Sequence, residues 1–222
     1  MIKKIVRKLF KQEDLSLYPV SDKYPKRYNI INFIIEQHGF NTYLEIGCRL
    51  DGSFRKVNSK IKFGVDPNSG GTHRMTSDEF FETNTQVFDV IFVDGLHWSE
   101  QVTKDIRNGL QHLSPNGFIV VHDCLPQKES HQLYPMDLSV SSEDNLSNLW
   151  LGDCWKAVVT LNGQSDVDFI TLDTDFGCSV VKRKNSDAKP VSEHLDFEYF
   201  QQNRNELMNI ATDAEFEQWV KE

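Results

Sequence analysis

The chain has 222 residues, of which 39% are hydrophobic and 26% charged, and this is enough for one α/β domain with a full core. Its formal net charge of −9 argues against a nucleic-acid-binding protein, because contact with phosphates requires clustered Lys and Arg. The four cysteines form no C-x-x-C pair and no apolar run reaches the roughly 18 residues of a membrane span, so we expect a cytoplasmic protein without a zinc framework or disulfide scaffold.

The first segment of the chain is basic and amphipathic. Residues 1–11 place five apolar side chains on one helical stripe and five cations on the other. One interpretation is peripheral contact with anionic lipid at the inner face of a membrane. The interpretation we favour is packing on the domain itself or on a partner subunit of a homo-oligomer. Residues 12–25 are predicted to form a loop.

Helical and β-rich patterns alternate along most of the remaining sequence. Helices are predicted at 26–38, 78–82, 99–113 and 151–161, and again at 196–208 and 213–220. The predicted strands begin at Thr42 and continue at 61–66, 74–77, 88–94, 117–122, 168–172 and 177–182. This alternation predicts an α/β fold, a Rossmann-like doubly wound sheet of seven mostly parallel strands whose last strand is antiparallel.

The composition divides the chain into three parts. We predict a basic helix and loop at 1–25, one catalytic domain at 26–195 and C-terminal helices at 196–222 that pack on the same domain. Residues 124–150 are polar and rich in Ser, Gln and Pro. Because a long irregular loop inside a compact domain is usually functional, we predict that this segment is a lid.

The turn after the first strand carries an acid and a glycine. Glu45 precedes Gly47 and Cys48, and a second acid, Asp66, ends the next strand about twenty residues later. This spacing is typical of a nucleotide-binding α/β unit in which the second acid holds a ribose. The turn is not G-x-G-x-x-G, and a carboxylate at position 45 would repel a pyrophosphate but suits a cationic cofactor. The alternative is an ordinary strand, turn and helix start.

Further polar residues follow the next strands. Ser77 and Asp78 stand where a cofactor's base would lie, although the same residues also suit a helix N-terminus. Two adjacent strands then present four titratable residues to one crevice at the carboxyl edge of the sheet: Asp94, His97, His122 and Asp123. Such a set can bind a hard divalent cation through its carboxylates and keep a histidine free as a base.

These motifs resemble the class I S-adenosylmethionine-dependent methyltransferases. The Asp-Gly-x-His motif at 94–97 and the His-Asp pair at 122–123 are similar to those of bacterial glycan and antibiotic-sugar O-methyltransferases, in particular the magnesium-dependent enzymes of macrolide and aminocoumarin biosynthesis. The resemblance covers most of the chain. It has two departures: Gly52 lies one position later than the family's second glycine, where Asp51 stands instead, and His122 replaces a second acid.

The resemblance implies S-adenosylmethionine as the cofactor, with contacts from Glu45, Gly47, Cys48, Asp66, Ser77, Asp78 and Asp94. It implies Asp94 and Asp123 as metal ligands and His97, with Asp94, as the catalytic pair. With His122 as a third ligand, the metal would be Mg²⁺ or, because imidazole binds magnesium poorly, Mn²⁺. His97, Trp98 and Trp150 would contact the substrate.

The predicted function is methyl transfer from S-adenosylmethionine to a hydroxyl of a sugar, either a nucleotide sugar or a surface glycan in polysaccharide biosynthesis. One alternative is an NAD-dependent sugar-nucleotide oxidoreductase, but the sequence lacks G-x-G-x-x-G and a Tyr-x-x-x-Lys pair. The other alternative is a catalytically silent relative that binds the cofactor or a partner. The retained Asp94, His97 and Asp123 argue against it.

Overall fold

The computed structural model of the chain describes residues 21–132, 150–184, 187–192 and 195–222. The predicted basic helix at 1–11 lies outside the described residues, as do residues 133–149 of the predicted lid. Within the described ranges, no helix is long and apolar enough to cross a membrane. The predicted division at residues 25 and 195 stays a prediction.

Seven strands form one sheet in the order β2-β1-β3-β4-β6-β5-β7. They are β1 (Thr42–Ile46), β2 (Ile61–Val65), β3 (Phe88–Val93), β4 (Leu113–Val121), β5 (Val167–Leu172), β6 (Cys178–Arg183) and β7 (Ile210–Ala211). Every neighbouring pair is parallel except the two made by β6. The predicted Rossmann-like, mostly parallel seven-stranded sheet is confirmed. The antiparallel strand is β6, which is the last of the predicted strands, at 177–182. The short strand β7 was not predicted from the sequence and pairs with β5 in parallel.

In the described ranges six helices flank this sheet: α1 (Arg27–His38), α2 (Ser77–Thr83), α3 (Ser99–Gln111), α4 (Cys154–Val159), α5 (Phe197–Leu207) and α6 (Asp213–Lys221). Gly39 ends α1 in the left-handed conformation, as its position in the sequence predicts. The helix predicted at 151–161 is shorter than expected. It begins at Cys154 and gives way to a 3₁₀ turn, Thr160–Gly163. A second 3₁₀ turn spans Glu129–His131.

The strand predicted at 74–77 is wrong. Only an isolated bridge between Val65 and His73 extends that edge of the sheet. Thr76 instead caps α2: its hydroxyl accepts the backbone N–H of Glu79, and the Glu79 carboxylate accepts the backbone N–H of Thr76. This reciprocal capping box starts a helix where the sequence pattern was too short to decide between strand and helix.

Apolar side chains cover both faces of the sheet, as expected for parallel strands buried on two sides. In β3, Ile91 and Val93 face the layer that holds α3, α4 and α5, whereas Val90 and Phe92 face α1 and α6. Trp155 of α4 is fully buried in the first layer. These two layers fix the carboxyl ends of β1 to β4 side by side, and a cleft opens at these strand ends.

Candidate active site

A cleft of about 970 Å³ opens at the carboxyl ends of β1, β2, β3 and β4. Most residues predicted for the site line it: Gly47, Asp66, Ser77, Asp78, Asp94, His97, His122, Asp123 and Trp150. Three do not: Glu45, Cys48 and Trp98. Topology therefore assembles on one surface residues that are up to a hundred positions apart in sequence, because parallel strands end at the same edge.

The turn after β1 depends on Gly47. Its φ is 91°, and a Cβ atom there would lie 2.0 Å from the carbonyl oxygen of Asp94. Only glycine permits this approach between the ends of β1 and β3. Gly52, in contrast, has nothing within 4 Å of a Cβ position. Asp51 takes the left-handed conformation with a φ of 60°, so the loop does not need the second glycine of the family pattern.

Glu45 and Cys48 lie beneath this turn. Glu45 is 1% exposed, and its carboxylate accepts a hydrogen bond from the Tyr43 hydroxyl at 2.5 Å. Burial raises the pKa of Glu45 to about 7, and the Tyr43 hydrogen bond only partly opposes that rise. The Cys48 thiol is buried and donates to the backbone carbonyl of Glu45 at 3.7 Å. Both side chains therefore support the turn from below, and their predicted cofactor contacts stay predictions.

Asp66 follows β2 and organises the loop around it. One carboxylate oxygen accepts the N–H of Arg49 at 2.8 Å, and the other accepts the N–H groups of Asn68 and Ser69, also at 2.8 Å. Burial raises the pKa of Asp66, but these backbone hydrogen bonds outweigh it and lower the pKa below its usual value. Asp66 is thus ionised at the cleft surface, which is compatible with the predicted contact to ribose hydroxyls.

Acids and imidazoles meet at the ends of β3 and β4. His97 Nε2 lies 3.4 Å from Asp94 Oδ1 and 3.5 Å from Asp123 Oδ2. His97 Nδ1 lies 3.3 Å from the carbonyl oxygen of Trp150. Burial lowers the pKa of His97, but the hydrogen bond to Asp94 and the charge of Asp123 raise it above the usual value. Asp94, His97, His122 and Asp123 all line this one cleft, as the sequence predicts.

His122 is held as a buried cation. Its Nδ1 lies 3.1 Å from Asp94 Oδ1 and 2.9 Å from Asp123 Oδ1, and its Nε2 donates to the carbonyl oxygen of Asp175 at 2.6 Å. Burial lowers the pKa of His122, but Asp94 and Asp123 raise it well above the usual value. Because both nitrogens carry protons, the ring has no lone pair for a metal. The predicted metal-ligand role of His122 does not fit this geometry.

Two residues of the cluster, Arg27 and Asp175, were missed by sequence reasoning. Arg27 Nη1 lies 2.7 Å from Asp94 Oδ2, and its Nε lies 2.8 Å from Asp175 Oδ2. Burial raises the pKa of Asp175, but hydrogen bonds from His122, Arg27 and Lys26 outweigh it and lower the pKa well below the usual value. No local pattern marks Arg27, since a cation at a helix start is ordinary. For Asp175 the only signal was its place in a predicted turn.

Two aromatic side chains, Trp150 and Phe176, line the cleft. The Trp150 ring lies 5.2 Å from the His97 ring at an angle of 36°. Phe176 is 37% exposed and has a φ of 69°, a rare conformation for a bulky residue. Trp98 is 39% exposed but does not line the cleft.

One group of side chains among the described residues has the geometry of a metal site. Asp94, His97 and Asp123 each offer a ligand atom, and these atoms lie within 4.8 Å of one another. Asp123 reaches both imidazoles of the cluster, since its Oδ1 lies 2.9 Å from His122 Nδ1 and its Oδ2 lies 3.5 Å from His97 Nε2. Two carboxylates and one imidazole suit manganese, iron or zinc better than magnesium. The residues therefore fit a divalent cation, with His97 in the place predicted for His122.

Residues 37–124, which include β1 to β4, match a family model described as a methyltransferase domain. Over these residues the chain is similar to a methyltransferase domain. The match extends from α1 to the end of β4 and contains the Gly47 turn, Asp66 and the whole acid and imidazole cluster except Arg27 and Asp175. The predicted enzyme class is thereby confirmed, whereas the acceptor and the metal are not identified by it.

Solved structures of methyltransferases share this fold. The S-adenosylhomocysteine-bound methyltransferase PaMTH1 of Podospora anserina is 17% identical, with 77% of this chain and 84% of that chain covered and a TM-score of 0.52. A putative caffeoyl-CoA O-methyltransferase of Staphylococcus aureus is 14% identical, with coverage of 82% and 91% and a TM-score of 0.50. At these identities the likeness shows the class I methyltransferase fold. No curated protein matches the chain.

Proposed function

We propose that the chain transfers a methyl group from S-adenosylmethionine to a hydroxyl group of a sugar, with His97 as the general base. The observation that carries the proposal is the position of His97, whose Nε2 lies in the cleft between the carboxylates of Asp94 and Asp123. The sulfonium is a good leaving group, but a sugar hydroxyl is a weak nucleophile at neutral pH. The protein must therefore align the hydroxyl with the methyl group and remove its proton.

The hydrogen bonds of His97 suit this role. Nδ1 faces the Trp150 carbonyl, which can only accept, so Nδ1 carries the proton of the neutral ring and Nε2 carries the lone pair. A proton taken up by Nε2 would be stabilised by Asp94 and Asp123, which is why the pKa of His97 is raised. A base of this kind accepts the hydroxyl proton as the oxygen attacks the methyl carbon, and S-adenosylhomocysteine leaves.

Three observations support S-adenosylmethionine as the methyl donor. Residues 37–124 are similar to a methyltransferase domain, the Podospora relative is bound to S-adenosylhomocysteine, and the cleft offers Gly47 and ionised Asp66 where the sequence predicts the cofactor. Several acids near Gly47, among them Asp94 and the buried Glu45, favour a cation over a pyrophosphate. This charge distribution also argues against the NAD-dependent alternative.

The sugar acceptor is supported by the aromatic walls of the cleft. The ring of Trp150 lies beside His97, and Phe176 also lines the cleft. Aromatic faces suit stacking against the apolar faces of sugar rings. The same walls would accept a phenol, and the similar Staphylococcus structure is described as a putative caffeoyl-CoA O-methyltransferase. The two acceptor classes are therefore compared directly in the experiment below.

A divalent cation would be held by Asp94, His97 and Asp123, and when bound it would orient acceptor oxygens and lower the pKa of the hydroxyl. His97 then has two alternative roles, since a ring whose Nε2 binds a metal cannot also take a proton there. Arg27 and His122 already place two positive charges against the same acids. We therefore assign His97 the role of base, and metal removal tests this assignment.

The experiment begins with thermal unfolding in the presence of S-adenosylmethionine, S-adenosylhomocysteine or NAD. A ligand at a hundred times its Kd adds about 2.7 kcal/mol, which corresponds to a rise of roughly 5–10 °C in Tm for a chain of this size. A shift with the adenosyl ligands and none with NAD is expected. A Tm shift with NAD alone, or no Tm shift with any of the three ligands, would contradict the proposal.

Turnover is then measured as S-adenosylhomocysteine release with a panel of nucleotide sugars and, for comparison, catechols. The protein is treated with EDTA and assayed with and without added Mg²⁺ or Mn²⁺. We expect activity on a nucleotide sugar that persists after EDTA treatment. Activity restored only by a metal would move His97 from base to ligand, and activity on catechols alone would contradict the sugar acceptor.

A further inference from the structure

Gln101 on α3 has a fixed amide orientation at the edge of the cleft. Its Nε2 lies 3.2 Å from Ser77 Oγ, 3.0 Å from Asp78 Oδ1 and 3.2 Å from Asp105 Oδ1. Carboxylate oxygens only accept hydrogen bonds, so the NH₂ group of the amide must face this cluster. The amide oxygen Oε1 consequently points away from it.

All side-chain hydrogen bonds that Gln101 makes within the described part of the chain come from Nε2. Its Oε1 atom is therefore an acceptor without a protein partner there. Gln101, Ser77 and Asp78 all line the cleft. The sequence places the base of the cofactor beside Ser77 and Asp78. A ligand that bound there would meet a fixed hydrogen-bond acceptor and would need an N–H group to satisfy it.

Asp105 explains why the amide is held in this way. It lies one turn further along α3 and is 1% exposed, and its Oδ2 has no hydrogen bond within the described residues. Burial raises the pKa of Asp105 to about 6, although hydrogen bonds from Ser77 and Gln101 lower it in part. A buried carboxylate with an unpaired oxygen is costly. The Asp105 carboxylate accepts hydrogen bonds from the side chains of Ser77 and Gln101, and both of these residues line the cleft.

We infer that Gln101 recognises the base of the cofactor, with Oε1 accepting a hydrogen bond from the exocyclic amino group of adenine and Asp105 acting as the positioning residue for its amide. The inference rests on the proposed function, because it requires an adenosyl ligand in the cleft. It adds a specificity that the methyltransferase domain does not assign. The site selects a 6-amino purine over a 6-oxo purine, whose oxygen would oppose Oε1.

The test measures the Kd of two ligands by isothermal titration calorimetry: S-adenosylhomocysteine and its deaminated analogue, S-inosylhomocysteine. The variants are Gln101→Met, which keeps the side-chain length without polar atoms, and Gln111→Met as a control. Gln111 is exposed at the far end of the same helix and lies outside the cleft lining. Circular dichroism and Tm confirm that each variant folds.

The wild-type chain is expected to bind the adenosyl ligand at least about tenfold more tightly than the inosyl ligand, the effect of one good hydrogen bond against one repulsive contact. Gln101→Met should weaken binding of the adenosyl ligand by roughly tenfold and reduce the discrimination to within about threefold. The Gln111→Met control should retain both values. Equal discrimination in wild type and Gln101→Met would overturn the inference while leaving the proposed function intact.

A wild-type chain that binds neither ligand would overturn the proposed function, and this inference with it. Asp105→Ala separates the positioning role from a purely structural one. If Asp105 helps to orient the amide, discrimination in this variant falls part of the way towards that of Gln101→Met, because only Asp78 and Ser77 then hold Nε2. Discrimination equal to wild type would assign Asp105 to stability alone and overturn its part of the inference.

Discussion

The guanidinium of Arg27 lies 2.7 Å from the carboxylate of Asp94, and this ion pair makes the first described helix part of the cleft. The same side chain reaches Asp175 through Nε at 2.8 Å, while its backbone N–H also donates to that carboxylate. Arg27 thus joins the start of α1, the end of β3 and the turn before β6. It fixes the acid against which His97 would act.

Replacement of Arg27 by methionine should lower stability by about 2–3 kcal/mol, because Asp94 and Asp175 each lose one of the cations that neutralise them. Arg55→Met is the matched control. Arg55 is largely exposed and makes a single contact of 3.5 Å with Asp51, so its loss should cost less than about 0.5 kcal/mol. Urea denaturation of both variants at neutral pH measures the difference. Equal stabilities would show that Arg27 does not neutralise the acid cluster.

Replacement of His97 by alanine should remove most turnover and leave cofactor binding intact. Loss of a positioned general base reduces the rate by about 10²–10⁴-fold, whereas the Kd for S-adenosylhomocysteine should stay within about threefold of wild type. His38→Gln serves as the control, because His38 hydrogen-bonds the Val220 carbonyl away from the cleft lining. Near-wild-type activity of the His97 variant would exclude it as the base.

The pH dependence of turnover should follow the same residue. Interaction with Asp94 and Asp123 raises the pKa of His97, so the ring is protonated and unable to accept a proton at low pH. The rate should therefore rise with pH through an apparent pKa above the ordinary histidine value, provided methyl transfer limits turnover. A kcat profile between pH 5 and 9 measures it, and a flat profile would contradict the assignment.

Glu45→Gln should stabilise the chain at alkaline pH. The pKa of Glu45 is about 7 in the folded chain and 4.5 in the reference state, so its favourable contribution is present below the lower value and is lost as pH rises through 7. The neutral amide lacks this penalty, and its oxygen can still accept from Tyr43. We expect a gain on the order of 3 kcal/mol at pH 8 relative to pH 4. An equal effect at both values would refute the raised pKa.

Two glycines of one loop give opposite predictions for substitution by alanine. Gly47→Ala should cost about 3 kcal/mol or more, because its φ of 91° is strained for alanine and the new Cβ would overlap the Asp94 carbonyl at 2.0 Å. Gly52→Ala should be nearly neutral, since that Cβ meets nothing within 4 Å. Thermal unfolding of the two variants compares them directly. A costly Gly52 variant would mean that the loop differs from this structure.

Much of the fold follows from sequence alone, and so does the identity of several cleft residues. Apolar runs bounded by acids and glycines defined the strands, and the rule that parallel strands end at one edge brought Asp66, Asp94 and Asp123 together. Local chemistry was enough for these residues because each stands directly at the end of a strand. The strand predicted at 74–77 also depended on local chemistry alone. It failed because the capping box at Thr76 favours a helix start more strongly than the short β-rich run favours a strand.

Only the tertiary structure decided which atoms of the site face one another. Sequence could not show that Arg27 would reach Asp94 across 67 positions, or that the Asp175 carbonyl would accept a hydrogen bond from Nε2 of His122. These contacts depend on how α1 and the turn before β6 pack against the sheet. They turn His122 from a candidate ligand into a cation and leave His97 beside the two acids, because the protonation of a buried imidazole is set by the atoms around it.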